Sequence, residues 1–338
     1  MRNTVTLKDV AHQAGVHMST ASRALNPRTR AIVNPETVER VLAVAADLDY
    51  RPNPLARGLR TNQTMSVGMI IPDIENPLFG SIIAGVEQRL GAEGYSLLIA
   101  NTDPEDTEST SIIDTLIERR VDGIILATAF RDDADVRHLV DRGTPVVLVN
   151  RAAEGAAIPA VVGNDHIGVG LAMRHLIDLG HRKVGHLSGP MSLSTGSGRR
   201  LAFMDWTRNL GIENPPVEEA EWFRIEPGYR AARRLLERRP DLTALLCAND
   251  LLALGAYQAI QEAGHEVGSG ISVTGYNDVP LMEFTQPAMT SVRIPYRQMG
   301  MEAAAALLRW FGGERRDPEV IALEPTLSVR SSTAPPRA

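Results

Sequence analysis

Thr6-Leu7-Lys8-Asp9-Val10-Ala11-His12-Gln13-Ala14-Gly15-Val16-His17-Met18-Ser19-Thr20-Ala21-Ser22-Arg23-Ala24-Leu25-Asn26 is the stretch whose reading decides the fold. Thr6 to Asp9 is a helix start of the capping-box type, with Asp in place of the usual Glu. Leu7, Val10, Ala11 and Ala14 then share one helical face, and Gly15 ends the helix. The spacing predicts a second short helix over 19–25 with Ala21, Ala24 and Leu25 inward, broken by Asn26-Pro27. Two short helices joined by a tight glycine turn have helix-turn-helix geometry. The second helix presents Ser19, Thr20, Ser22 and Arg23 outward, and short hydroxyls with an arginine suit base edges and phosphates in a major groove. A protein-binding module with a spare polar helix fits the same pattern.

Working outward, Asn34-Pro35-Glu36 opens a third helix, with Asn34 as cap and Pro35 in the first position. Its inner face is Val38, Val41, Leu42, Ala45 and Leu48. Residues 51–64 read as a connector: Arg51-Pro52-Asn53-Pro54 resists helix. Leu55 to Arg60 is too short to hold one alone, and Gly58 weakens it further. From residue 65 strands and helices alternate. Strands are expected at 66–71, 95–100, 122–127, 145–149, 184–188, 243–247 and 271–275. The helices between them are expected at 79–93, 108–119, 166–180, 198–210, 228–238, 250–263 and 296–311. This alternation predicts parallel sheets covered by helices on both faces. The stretch is long for one open sheet, so two sheet subdomains with a cleft are expected, with ligands at the carboxyl ends of the strands.

Composition agrees with a globular chain of two to three domains: of 338 residues, 43% are apolar and 22% charged. No apolar run approaches the ~18 residues a membrane span needs, and Met1–Val10 has no apolar signal core. The single cysteine, Cys247, forms no internal disulfide and suits a reducing cytoplasm. Net charge is −6 but uneven. Residues 1–60 carry nine Lys/Arg against five Asp/Glu, whereas the rest carries 26 against 36. A basic head on an acidic body is what a chain needs if only its head meets a polyanion.

The head closely resembles the helix-turn-helix of the LacI/GalR family of bacterial repressors. Tyr50-Arg51-Pro52-Asn53-Pro54-Leu55-Ala56-Arg57-Gly58-Leu59-Arg60 resembles that family's hinge. The likeness runs on through Ile71-Pro72-Asp73-Ile74-Glu75-Asn76-Pro77-Leu78-Phe79, Arg120-Val121-Asp122-Gly123-Ile124-Ile125 and Leu179-Gly180-His181-Arg182-Lys183-Val184. It ends with Ala248-Asn249-Asp250 and Gly275-Tyr276-Asn277-Asp278, and so covers residues 4 to about 330. Two departures stand out. His17 replaces the family's usual Ser at the start of the recognition helix, and Met18 and Ser19 fill its variable base-reading positions.

The resemblance implies an α/β chain: a three-helix head over 1–50, a hinge over 51–64, and a two-subdomain body resembling periplasmic binding proteins over 65–330, with a tail at 331–338. It implies DNA contacts from Thr6, Met18, Ser19, Thr20, Ser22, Arg23 and Asn26, and from Ala56, Arg57, Leu59 and Arg60 in the hinge. In the family the hinge folds on operator DNA and its leucine wedges into the minor groove; Leu59 holds that position, with Arg57 and Arg60 among phosphates. It places Asn76, Phe79, Asn101, Asp103, Arg151, Asn164, Asp165, Arg199, Phe223, Asn249, Asn277 and Asp278 around an effector, a sugar or sugar derivative. Sugar hydroxyls need planar donors and acceptors and a ring over the apolar face. Trp222, beside Phe223, is expected to point away and has no assigned role.

The expectation is therefore a cytoplasmic, effector-responsive homodimer on a near-palindromic double-stranded operator, without cofactor or metal and without enzymatic activity. The tail has no heptads, so no tail-made tetramer is expected. A transport-type sugar-binding protein would show a signal peptide and no basic head. An enzyme would show a nucleophile–base or metal constellation. Gly168-Val169-Gly170 lacks the third glycine of a dinucleotide fingerprint, and Gly196-Ser197-Gly198 is no nucleophile elbow. His175, His181 and His186 lack metal spacing and read as caps or surface groups, and Cys247 reads as strand core.

Overall fold

The computed structural model describes residues 5–26, 29–50, 63–102, 109–314 and 319–337. The chain divides into two compact units, Met1–Thr64 and Met65–Ala338. In the first, α1 (Leu7–Gln13), α2 (Met18–Leu25) and α3 (Pro35–Asp47) close on a core of Val10, Ala11, Ala14, Ala21, Ala24, Val38, Val41 and Ala45. Small residues at the α1–α2 contact let two short helices approach closely, a contact that longer side chains would prop open. The Thr6 box is complete. Thr6 N–H donates to Asp9 Oδ2 at 2.8 Å, and Asp9 N–H donates back to Thr6 Oγ1 at 3.4 Å. Gly15 takes φ +66°, the left-handed turn anticipated from its place after the helix. Arg40 Nε donates to the Ala14 carbonyl at 3.0 Å, and Arg30 Nε to that of Ala24 at 3.2 Å, so arginines satisfy the open ends of α1 and α2.

The second unit holds two six-stranded sheets of matching order. The first runs β2 (Ser96–Asn101), β1 (Ser66–Ile71), β3 (Gly123–Leu126), β4 (Val146–Val149), β5 (Ala160–Gly163), β11 (Val320–Leu323), all parallel. The second runs β7 (Val217–Glu219), β6 (Val184–Ser188), β8 (Ala244–Cys247), β9 (Ser272–Asn277), β10 (Thr290–Arg293), β12 (Thr326–Ser328), with only the β10–β12 pair antiparallel. Helices α4 (Leu78–Gly91), α5 (Ser109–Glu118) and α6 (Ala134–Asp141) follow β1, β2 and β3. After the crossing at β5 come α7 (Asp165–Asp178), α8 (Ser194–Asn209), α9 (Ile225–Arg238) and α10 (Asp250–Glu262); α11 (Tyr296–Phe311) carries the chain back. Central strands are apolar on both faces, as parallel sheets require. Val67, Met69 and Ile71 of β1 enter one core cluster, while Ile70 joins Ile124, Leu126, Val146 and Leu148 in another.

Every strand expected from the sequence is present, within two residues at each end. Strands β5, β7, β10, β11 and β12 and helix α6 were not anticipated. The strands among them are only three or four residues long, too short for alternation to be read. Helix α8 begins at Ser194 rather than 198. A Cβ on Gly196 would stand 2.1 Å from the Pro190 carbonyl oxygen, so a glycine that looks like a loop signal is there for close approach inside a helix. The stretch read as a tail is tied in. Val273 N–H donates to the Ser332 carbonyl at 2.9 Å, and Ser332 is fully buried. No helix among the described residues is long and apolar enough to cross a membrane.

Candidate functional site: a helix face and a cleft

The head offers one polar helix face. Helix α2 starts at Met18, one residue earlier than expected, because His17 caps it: Ser19 N–H donates to His17 Nδ1 at 3.3 Å. Ser19 Oγ also meets that nitrogen, at 2.8 Å. Met18, Ser19 and Arg23 are exposed beside it. Thr20, Ser22 and Asn26 are half-buried, and Thr6 spends its hydroxyl on Asp9. The hinge residues Ala56, Arg57, Leu59 and Arg60, and Asp103 of the body, lie outside the described residues.

The cleft opens at the carboxyl ends of β1, β4, β6, β7, β8 and β9, where an open α/β sheet holds ligands. It spans about 540 Å³ of space, part of it open to solvent. Seven of the expected residues line it: Asn76, Phe79, Arg151, Arg199, Phe223, Asn249 and Asn277. Phe79, in the first turn of α4, is buried and gives the cleft one edge. Phe223 follows β7 and packs so close to Gly189 that a Cβ there would stand 2.2 Å from its ring. Asn249 caps α10, accepting the Leu252 N–H at 2.8 Å, and Asn76 accepts the Leu78 N–H at 3.3 Å. Both amides are thereby held by their carbonyl ends. Asn277 sits at φ +113° with its Oδ1 taken by the Tyr296 hydroxyl at 2.7 Å.

Arg199 is the centre of the cleft's electrostatics. It is 5% exposed, donates from Nε to Asp165 Oδ1 at 3.0 Å and from Nη1 to the Ala248 carbonyl at 2.6 Å, and stacks on Tyr276 with its guanidinium 3.9 Å from the ring centroid. Burial works against its charge, but Asp165, Tyr276 and Tyr296 outweigh that and raise its pKa. Arg151, entering from β4, donates from Nη1 to the Thr128 carbonyl at 3.2 Å. Burial and the charge on Arg199 lower its pKa to about 10.

The structure does not bring every expected residue to the cleft. Asp278 is a correction: its carboxylate turns to Arg293 and Arg330, each at 2.7 Å, and to Ser328 at 2.7 Å, which fastens β9 to β10 and β12. Asn101 ends the edge strand β2 and is exposed. Asn164 caps α7 through the Ile167 N–H at 3.2 Å. Asp165 stands behind Arg199 and is not among the lining residues.

Other lining residues were missed: Pro72, Asp73, Leu78, Asn150, Leu193, Thr195, Trp222 and Arg224. Trp222, expected to point away from Phe223, lines the cleft with it: β7 ends at Glu219 and 221–224 is a bend, so the alternation of a strand does not apply there. The two subdomains touch across the cleft mouth. Arg224 reaches Asp73 at 3.4 Å, Arg131 Nη1 donates to the Met191 carbonyl at 3.1 Å, and Ala152 N–H donates to Ser194 Oγ at 2.9 Å. His181 and His186, expected as caps or surface groups, are buried; His181 bonds Thr243 and Ser272. Among the described residues no three His, Cys, Asp or Glu side chains converge as metal ligands.

Residues 6–53 match a family described as bacterial regulatory proteins, lacI family. Residues 64–328 match one described as periplasmic binding proteins and sugar binding domain of LacI family. The chain is 34% identical over 336 residues to the HTH-type transcriptional repressor PurR of Yersinia pestis (strain Pestoides F), covering 97% of each. Among solved structures it resembles the lac repressor dimer bound to operator and the anti-inducer ONPF, with a TM-score of 0.87 at 28% identity, covering 98% of this chain and 100% of that one. It also resembles the transcriptional regulator CelR in complex with cellobiose, with a TM-score of 0.75 at 29% identity, covering 97% and 99%.

Proposed function

The chain belongs to the LacI family of bacterial regulatory proteins, and from that premise we propose how it works. It is a ligand-responsive transcriptional repressor, not an enzyme. The head reads double-stranded operator DNA with α2 in the major groove, using Met18, Ser19, Thr20, Ser22 and Arg23. One head covers few base pairs, so the working unit is a homodimer on a near-palindromic site in the cytoplasm. The hinge, 51–64, joins head to body, and Leu59 wedges into the minor groove there.

The effector is a sugar or sugar derivative held in the cleft. The observation that carries this is the lining itself: Asn76, Asn249, Asn277 and Arg199 surround a space edged by Phe79, Trp222 and Phe223. Fixed amides and a guanidinium meet hydroxyls, and rings cover an apolar face. The cross-cleft contacts make the cleft a two-state element that an effector biases. A thermal-shift screen over sugars, polyols and nucleobases tests the reading, since a ligand at 100 Kd adds about 2.7 kcal/mol. A sugar-class hit supports it; hits confined to nucleobases overturn the sugar class.

A further inference from the structure

We propose that the cleft takes an anionic effector, a sugar derivative whose carboxylate or phosphate sits against Arg151. The inference rests on the reading of the cleft as the effector site and deepens it.

Three guanidiniums line the cleft, those of Arg151, Arg199 and Arg224, against one carboxylate, that of Asp73. Two of the three are answered within the protein. Arg199 is bonded to Asp165, and Arg224 reaches Asp73. Arg151 is not: its Nε is buried without a hydrogen-bond partner, and its one bond runs from Nη1 to a neutral carbonyl. Among the described residues no carboxylate pairs with it. Asp133 is the acid whose charge it feels, yet that carboxylate already takes the backbone N–H groups of Phe130, Asp135 and Val136 at 2.8, 2.9 and 3.0 Å.

A half-buried cation without a counter-ion is costly, and the neighbouring Arg199 adds like-charge repulsion. At neutral pH Arg151 remains charged even with its pKa lowered to about 10. A hydroxyl in the cleft would leave that charge unanswered. A carboxylate or phosphate answers it, in a geometry that a guanidinium fork matches. The rest of the lining keeps its part, with amides for hydroxyls and rings for the apolar face.

Matched pairs test this on the full-length protein by calorimetry: glucose against gluconate, glucuronate and glucose 6-phosphate; galactose against galacturonate; ribose against ribose 5-phosphate. The result expected is that one acid binds at least about tenfold tighter than its neutral parent. Whether that acid is a carboxylate or a phosphate ester identifies the group. Arg151→Gln should bring acid and parent to similar affinity, while Arg151→Lys should keep much of the preference. A neutral parent that binds as tightly as its acids overturns the anion and leaves the sugar cleft standing. An acid preference that survives in Arg151→Gln overturns the assignment to Arg151. No binding by any member of any pair overturns the sugar class itself, and the anion with it.

Discussion

The buried Arg199 and the half-buried Asp165 meet Nε to Oδ1 at 3.0 Å, and the Tyr276 hydroxyl donates to the same oxygen at 2.9 Å. The resemblance places Arg199, Asp165 and Asp278 around one effector without saying which acid meets the arginine. The structure gives Asp278 to Arg293 and Arg330. Asp165 begins the helix that follows the crossing from the first sheet, so the pair ties that crossing to α8.

Gly168 makes this arrangement possible. A Cβ at that position would stand 2.3 Å from the Tyr276 hydroxyl, and the Tyr276 ring is fully buried with little room to retreat. Gly168→Ala should therefore displace Tyr276, loosen Arg199 and lower stability by about 1–3 kcal/mol. Urea unfolding measures the loss. An unchanged midpoint would mean that the site absorbs a methyl freely.

In the head, Arg23→Ala should weaken operator binding by about 1–3 kcal/mol without altering effector affinity. A fluorescence titration on a selected operator checks it, and affinity should also fall steeply with salt. Equal binding by the mutant would remove Arg23 from the interface.

His17→Ala should expose the first turn of α2 and cost about 0.5–2 kcal/mol of head stability, whereas His17→Ser should keep most of the cap. Hydrogen exchange at the Ser19 amide reports it directly. Unaltered protection in His17→Ala would mean that the ring is not the cap.

How far the sequence reaches can be read from particular residues. Thr6, Gly15, Asn34 and Pro35 act as local signals and are found at the helix ends expected of them. The long central strands are legible because both faces are apolar, while three-residue edge strands such as β7 and β12 carry too little pattern. In the cleft, residues directly after a strand are readable, as Arg151 and Asn249 are. Partner choice is not, because Asp165 and Asp278 lie far from Arg199 in sequence and only the packed sheet decides between them. Gly168 and Gly170, which fall short of a dinucleotide fingerprint in the sequence, make room in the structure for Tyr276 and Trp206.

Leu59→Ala should lose operator affinity and DNA bending while leaving the melting temperature and effector binding of the free protein unchanged, since a wedge acts only in the bent complex. A lowered melting temperature without DNA would make Leu59 a packing residue.

His186 is buried, stacked on Phe203 at 4.8 Å, and bonded through Nδ1 to the Leu246 carbonyl at 2.8 Å. Burial lowers its pKa to about 4. The unfolded chain then binds a proton between that value and about 6.5 that the native state does not, so stability is full above the upper value and falls with pH. Between pH 7.5 and 5 the loss should be about 2 kcal/mol. His186→Asn should flatten the slope in urea unfolding; an equal slope would trace it to other groups.

The central claim is that occupancy of the cleft changes the grip of the head on DNA. The direct measurement is an operator titration by the full-length protein with and without a saturating concentration of the best ligand from the thermal-shift screen. The account predicts an affinity shift of about 5- to 150-fold, and a response lost in Arg199→Met at the same ligand concentration. Operator affinity that is the same with the cleft filled and empty would contradict it.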